Sequence, residues 1–177
     1  MKSVLIDGSF KEIREIERLY NASFPDDERI PFERLLATCS ADRVMHVYYD
    51  GDALVGMTFL FFNDDLIYLS YIAVEETLRD RGYGSQILDL IRENYPEYRI
   101  VLDIEEVKPE SDNYQERKRR KDFYLRNRYS ETGIYYYIYG VDYELLACNG
   151  TASRKEWHEL IRKHWGKFAD TAIYKAK

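Results

Sequence analysis

The stretch from Tyr68 to Asn94 limits what this chain can fold into more than any other. An apolar run, Tyr68-Leu69-Ser70-Tyr71-Ile72-Ala73-Val74, reads as a strand. A glycine-bearing loop follows, Arg79-Asp80-Arg81-Gly82-Tyr83-Gly84-Ser85, and then Ile87, Leu88, Leu90 and Ile91 recur at helical spacing. The first N–H groups of a helix have no intrahelical partner and carry partial positive charge, so a strand turning through glycines into a helix is laid out to hold phosphate. Gly82 and Gly84 let the backbone bend and approach a ligand closely, and Arg79 and Arg81 offer charge-assisted bonds. A bare G-x-G would be explained as well by an ordinary strand-to-helix turn. A Rossmann fingerprint would need a third glycine near Ile87, and a P-loop would need Gly-Lys-Ser/Thr, whereas Ser85 follows Gly84.

The fuller pattern, Arg79-x-x-Gly82-x-Gly84 after a strand ending in Ala73-Val74, resembles the pyrophosphate loop of the GNAT superfamily of N-acetyltransferases. That resemblance implies acetyl-CoA as cosubstrate. It assigns its pyrophosphate to Arg79, Asp80, Arg81, Gly82, Tyr83, Gly84 and Ser85, and its pantetheine arm to backbone groups of Ile72, Ala73 and Val74, between splayed central strands. It also implies an α/β (α+β) fold with a mixed central sheet of about seven strands flanked by helices.

The rest of the composition narrows the setting. A chain of 177 residues, 45% hydrophobic and 33% charged, reads as one soluble domain with a sizeable core. No apolar run approaches membrane-spanning length and no signal-peptide core opens the chain, so a cytoplasmic protein with free thiols at Cys39 and Cys148 is expected, without a membrane partner. Three scattered histidines and two unpaired cysteines suggest no metal site. A net charge of −6 argues against nucleic acid as a partner of the surface as a whole.

Taken in order, Lys2 to Ile6 is a strand candidate, Asp7-Gly8 a turn, and Phe10 to Phe24 a helix stopped by Pro25. A short helix runs through Leu35 and Leu36. Val44 to Tyr49 and Leu54 to Phe62 form a hairpin around Asp50-Gly51-Asp52. Arg99 to Ile104 is a strand parallel to the central one, because a helix separates the two. A charged helix spans Tyr114 to about Arg128 and ends at Thr132-Gly133, before strands Ile134 to Tyr139 and Tyr143 to Ala147. Ser153-Arg154-Lys155-Glu156 is a capping box. This order is similar to the GNAT fold over residues 2 to 147 within a single domain, 1–177. Residues 151–177 are an added helical piece that covers an edge or forms a homodimer contact.

A second group of residues lies on the charged helix. Arg117, Arg120 and Tyr124 share one face, and Phe123-Tyr124-x-x-Asn127-Arg128-Tyr129 resembles the end of the family's catalytic helix, with Arg128 where glycine is usual. By that resemblance Tyr124 protonates the departing thiolate, as a general acid. Arg117 stands where many members place asparagine, which leaves Asn113 as the alternative contact, and Arg120 is within reach of a coenzyme phosphate. The run Arg117 to Lys121 also invites a nucleic-acid reading, but consecutive helical charges cannot all face one partner, so most are a solvated face. Asp103 and Glu105 fall on one face of their strand by alternation, and either is a candidate base. Asp26, Asp27 and Glu28 lie in the connection that, by resemblance, walls the acceptor site. They favour a cationic amine or are a solvated acidic turn. The expected activity is acetyl transfer to a primary amine of a small molecule or peptide by direct attack. A coenzyme A-binding regulatory domain without catalysis is the alternative.

Overall fold

The computed structural model describes residues 1–6, 10, 12–26 and 29–175. Its strands are β1 (Lys2–Ile6), β2 (Arg43–Asp50), β3 (Ala53–Asn63), β4 (Leu66–Val74), β5 (Arg99–Glu105), β6 (Ser130–Ile138), β7 (Val141–Cys148) and β8 (Ile173–Tyr174). Its helices are α1 (Ile13–Ser23), α2 (Phe32–Ala37), α3 (Tyr83–Asn94), α4 (Tyr114–Arg126) and α5 (Arg154–Trp165). The strands form one mixed sheet of eight, in the order β1-β2-β3-β4-β5-β7-β6-β8. One strand more than expected is present because the C-terminal residues after α5 add β8 to β6, with Tyr136 opposite Tyr174 and Tyr137 opposite Ile173. The expected Asp7-Gly8 turn lies outside the described residues.

Contacts divide the chain into two compact units, Met1–Phe61 with Leu69–Pro96, and Phe62–Tyr68 with Glu97–Lys177. In the first, β1 and β2 pair antiparallel, as do β2 and β3, around a turn where Gly51 has φ +59°. Both faces of β2 and β3 are covered: Met45, Val47, Met57 and Phe59 are fully buried on one face, and Tyr48, Thr58 and Leu60 are fully buried on the other. β3 carries Gly56, where a Cβ would stand 2.4 Å from the Ala73 carbonyl oxygen and 2.8 Å from Ile87 Cδ1, so only glycine lets β3 approach β4 this closely.

In the second unit β4 and β5 pair in parallel at Leu66↔Arg99, Ile67↔Ile100 and Tyr68↔Val101, as the intervening helix requires. β5 also pairs antiparallel with β7, and β7 with β6. Two boundaries differ from the sequence expectation. α4 ends at Arg126, because Arg128 takes a left-handed φ of +70° and the Tyr129 N–H closes on the Tyr124 carbonyl at 3.1 Å. β6 begins at Ser130, and Gly133 (φ +75°) sits in an irregularity between Glu131 and Tyr135 and does not mark a helix end. A glycine inside a strand commonly marks such a bulge.

α5 is integral to this unit. Its capping box forms: Ser153 Oγ accepts from the Glu156 N–H and Glu156 accepts from the Ser153 N–H. Glu156 also holds Arg99, which bonds Asp65 and the Thr151 carbonyl. The Arg99 guanidinium pulls the Glu156 carboxyl down to about 2. Trp157 is buried against Tyr68 and Tyr136, and Lys163 and His164 both donate to the Phe62 carbonyl.

Candidate active site

In the first unit, β4 delivers Ile72, Ala73 and Val74 to the start of the loop, and the Glu75 N–H bonds the Val55 carbonyl at 2.8 Å. A short 3-10 turn, Glu76–Leu78, carries the chain to Arg79, whose Nε donates back to the Val74 carbonyl at 3.3 Å. Asp80 then takes φ +60° and Gly82 φ +83°. Gly82 is the N-cap of α3, and a Cβ there would meet nothing in the chain. Its glycine is therefore a matter of backbone conformation, which costs an L-residue about 1–2 kcal/mol in the left-handed region. The helical ladder opens with Gln86 N–H on the Gly82 carbonyl, so the amides of Tyr83, Gly84 and Ser85 have no carbonyl of their own helix to bond. No acidic side chain lies in the first turn of α3, and Arg79 and Arg81 are exposed beside it. These features suit a diphosphate: amides at a positive helix end with two guanidiniums nearby. Tyr83 uses its hydroxyl on Asp50, at 2.6 Å.

The connection after α1 is fastened to β4 by two tyrosines. The Tyr20 hydroxyl donates to the Ile30 carbonyl at 2.9 Å, and the Ile30 N–H donates to the Tyr71 hydroxyl at 3.3 Å, within a cluster of Tyr20, Phe24, Phe32 and Tyr71 rings. Asp26 is solvent-exposed and ion-paired with Arg29, which donates to the Phe24 carbonyl and so caps α1. Asp27 and Glu28 lie outside the described residues.

In the second unit, β5 presents Asp103 and Glu105 on one face, and the two have different partners. Asp103 Oδ1 accepts from the Tyr68 hydroxyl at 2.8 Å and Oδ2 from the Tyr136 hydroxyl at 2.5 Å. Burial pushes its carboxyl up, while the Tyr136 and Tyr68 donors pull it back. Glu105 instead pairs with Arg117 at 2.6 Å and Arg120 at 3.6 Å. Arg117 also bonds Asn113 Oδ1 at 2.6 Å and the Glu106 carbonyl at 3.1 Å, so Asn113 and Glu105 together tie the first turn of α4 to the end of β5. Arg120 is further paired with Glu116. Tyr124, on the same helix, is 7% exposed, and burial pushes its phenol up to about 12. It therefore carries its proton throughout the neutral range. α4 is held to β7 by Lys121, which bonds both oxygens of the buried Glu144, at 2.9 and 2.8 Å.

Sequence reasoning missed Gly56, Tyr68 and Tyr136. Gly56 had a faint signal, a lone glycine inside an apolar strand. Nothing local marks Tyr68 or Tyr136 as partners of a carboxylate more than thirty residues away.

The model of the acetyltransferase (GNAT) family matches residues 13–117, more than half of the chain. This protein belongs to the GNAT family. No curated protein sequence matches it. Among solved structures, a Bacteroides thetaiotaomicron protein assigned to the GNAT acetyltransferases is 23% identical, with a TM-score of 0.77 over 94% of this chain and 99% of that one. An aminoglycoside 6′-N-acetyltransferase complexed with coenzyme A is 15% identical, with a TM-score of 0.66 over 83% and 96%. A spermidine N-acetyltransferase variant from Vibrio cholerae is 14% identical, with a TM-score of 0.61 over 84% and 94%. At these identities the likeness shows the fold. The mixed sheet with its helices is accordingly a GNAT acyltransferase fold. Among the described residues no helix is long and apolar enough to cross a membrane, and no group of His, Cys, Asp or Glu is arranged to hold a metal ion.

Proposed function

We propose that this GNAT protein transfers the acetyl group of acetyl-CoA to a primary amine of a small molecule or peptide. The observation that carries the reading is the α3 loop: a left-handed Gly82 at the N-cap, amides of Tyr83, Gly84 and Ser85 ahead of the helical ladder, and Arg79 and Arg81 exposed beside them. In the first unit these residues hold the cosubstrate's pyrophosphate, and backbone groups of Ile72 to Val74 hold its pantetheine arm and polarise the thioester carbonyl. Acetyl-CoA supplies the activated acyl group.

The second unit handles protons. Tyr124, protonated at neutral pH, is the donor to the departing thiolate. The base that takes the ammonium proton is Asp103, acting directly or through one water. Glu105 is the weaker candidate, since both of its oxygens face guanidiniums and it must leave an ion pair to accept a proton. Arg120, paired with Glu105 and Glu116, reaches a coenzyme phosphate only by leaving them. Aminoglycoside and spermidine enzymes among the structural neighbours make a polycationic amine a reasonable first acceptor class to test. Because Asp26 is already paired with Arg29, its share in attracting such an amine is small, and any acidic selectivity of the connection rests on Asp27 and Glu28.

The test has two parts. Calorimetric titration with acetyl-CoA is expected to give saturable binding, and thiol release with a panel of polyamines, aminoglycosides, lysine peptides and free peptide N-termini is expected to select a subset. Absence of acetyl-CoA binding overturns the reading. Binding without thiol release for any amine turns it into the regulatory coenzyme A-binding alternative.

A further inference from the structure

Asp103 is a carboxylate held by two phenols. Among the described residues no lysine or arginine pairs with it, which separates it from Glu105, Glu106, Asp142 and Glu144, all ion-paired in the same unit. The titratable groups facing it are Tyr68 from β4, Tyr136 from β6 with Tyr143 of β7 stacked behind it at 5.5 Å, and Tyr124 from α4, while α5 contributes the uncharged Trp157. The two donor rings are packed in place. Tyr68 meets Trp157 edge-on at 4.9 Å and Trp165 at 5.6 Å, and Tyr136 lies 5.9 Å from the same Trp157. α5 therefore braces both donors at once, although it lies outside the part of the chain that the family model covers.

We propose that Tyr68 and Tyr136 are positioning residues for Asp103. Each phenol gives its hydrogen to a different carboxylate oxygen, which favours the charged form against burial and leaves each oxygen a lone pair for one incoming proton. The step they serve rests on the acetyl-transfer reading. One proton passes from the acceptor's ammonium to Asp103, giving a carboxylic acid and a neutral amine, with no change of oxidation state. A donor to the charged form lowers a carboxyl's proton affinity, so losing either phenol raises it, against the background of burial that already raises it. Through Trp157 the C-terminal helix becomes part of the apparatus that accepts the proton.

The decisive experiment uses the full chain with ¹³C-labelled aspartate, the Asp103 signal being assigned by its loss in Asp103→Asn. The carboxyl is titrated in wild type, Tyr136→Phe and Tyr68→Phe, and the acid limb of kcat/KM for thiol release is followed in the same three proteins. Each variant is expected to move both the carboxyl titration and the acid limb upward by about one pH unit, the size of a charge-assisted hydrogen bond. A ring that only fills space would leave both unmoved, and an unmoved carboxyl in both variants overturns the proposal. A carboxyl that moves while the acid limb stays in place removes Asp103 and its phenols from the reaction. If Tyr136→Phe does not fold, Tyr68→Phe decides alone, with the same expected shift. A wild-type chain that releases no thiol at any pH, yet shows the carboxyl shift, counts against the transferase reading and leaves the hydrogen-bond assignment standing.

Discussion

Between β4 and α3 the loop Arg79 to Ser85 takes its shape from its neighbours in the chain, whereas Asp103 takes its surroundings from Tyr68, thirty-five residues before it, and Tyr136, thirty-three after it. The loop relies on left-handed residues and on the amides that every helix leaves open at its start. The carboxylate relies on side chains brought from two other strands and locked by rings on a third element. The first design can be damaged through one backbone angle. The second is damaged by removing single hydroxyls while every backbone stays in place. The loop is not wholly self-contained, since Ala73, just before it, accepts the close approach of β3 only because residue 56 has no side chain.

That exception carries the largest expected effect. Gly56→Val sets a branched side chain against the Ala73 carbonyl and Ile87, and overpacking of this kind is expected to destabilise the chain by more than about 3 kcal/mol in urea unfolding. A loss under about 1 kcal/mol would restore the picture of a region built by its own segment alone.

Acid should separate the two units. His46 is buried on β2, bonded to Ser3 and to the Tyr95 hydroxyl, and burial holds its imidazole down to about 4. The unfolded chain binds that proton near pH 6.5, so the first unit loses stability as pH falls from about 6.5 to about 4, by about 3 kcal/mol. Glu156 in the second unit is depressed from 4.5 to about 2, so its contribution is present above pH 4.5 and is lost only below that value. Hydrogen exchange on acidification is expected to rise in β2 before β7, and His46→Gln should flatten the earlier phase. Simultaneous opening of both strands would show that the units unfold as one.

Tyr124→Phe keeps the ring and removes the proton donor. Single-turnover acetyl transfer by rapid quench is expected to fall about a hundredfold, or about 2.7 kcal/mol, with acetyl-CoA affinity little changed. Single turnover is the right measure because product release often limits kcat. Transfer at the wild-type rate would make Tyr124 a packing residue.

The smallest effect sharpens the local side of the comparison. Because a Cβ at position 82 meets nothing, Gly82→Asn, a residue that accepts the left-handed region, should keep acetyl-CoA affinity within about threefold, while Gly82→Val should weaken it about tenfold or more. Equal losses in both would point to direct backbone contact with the ligand as the reason for glycine.

Strand and helix positions followed from local pattern. The apolar run Lys2 to Ile6, the hairpin around Gly51, the crossover helix α3 and the capping box at Ser153 were each readable, because period, turn chemistry and capping act over a few residues. So were the Arg79-x-x-Gly82-x-Gly84 loop and the family it points to. The parallel pairing of β4 with β5 also followed, from chain connectivity alone.

Tertiary structure decided which charges are paired and which are not. Alternation places Asp103 and Glu105 on one face of β5, but only the fold gives Glu105 two guanidiniums and Asp103 two phenols, and that difference separates a structural ion pair from a candidate base. It also converted residues 151 to 175 from an unassigned addition into a helix that braces Tyr68 and Tyr136 and a strand that extends the sheet. The physical reason is range. Backbone angles and helix ends answer to forces between near neighbours in the chain, whereas the proton affinity of a carboxylate answers to whatever lies within a few ångströms, and folding alone brings those groups there.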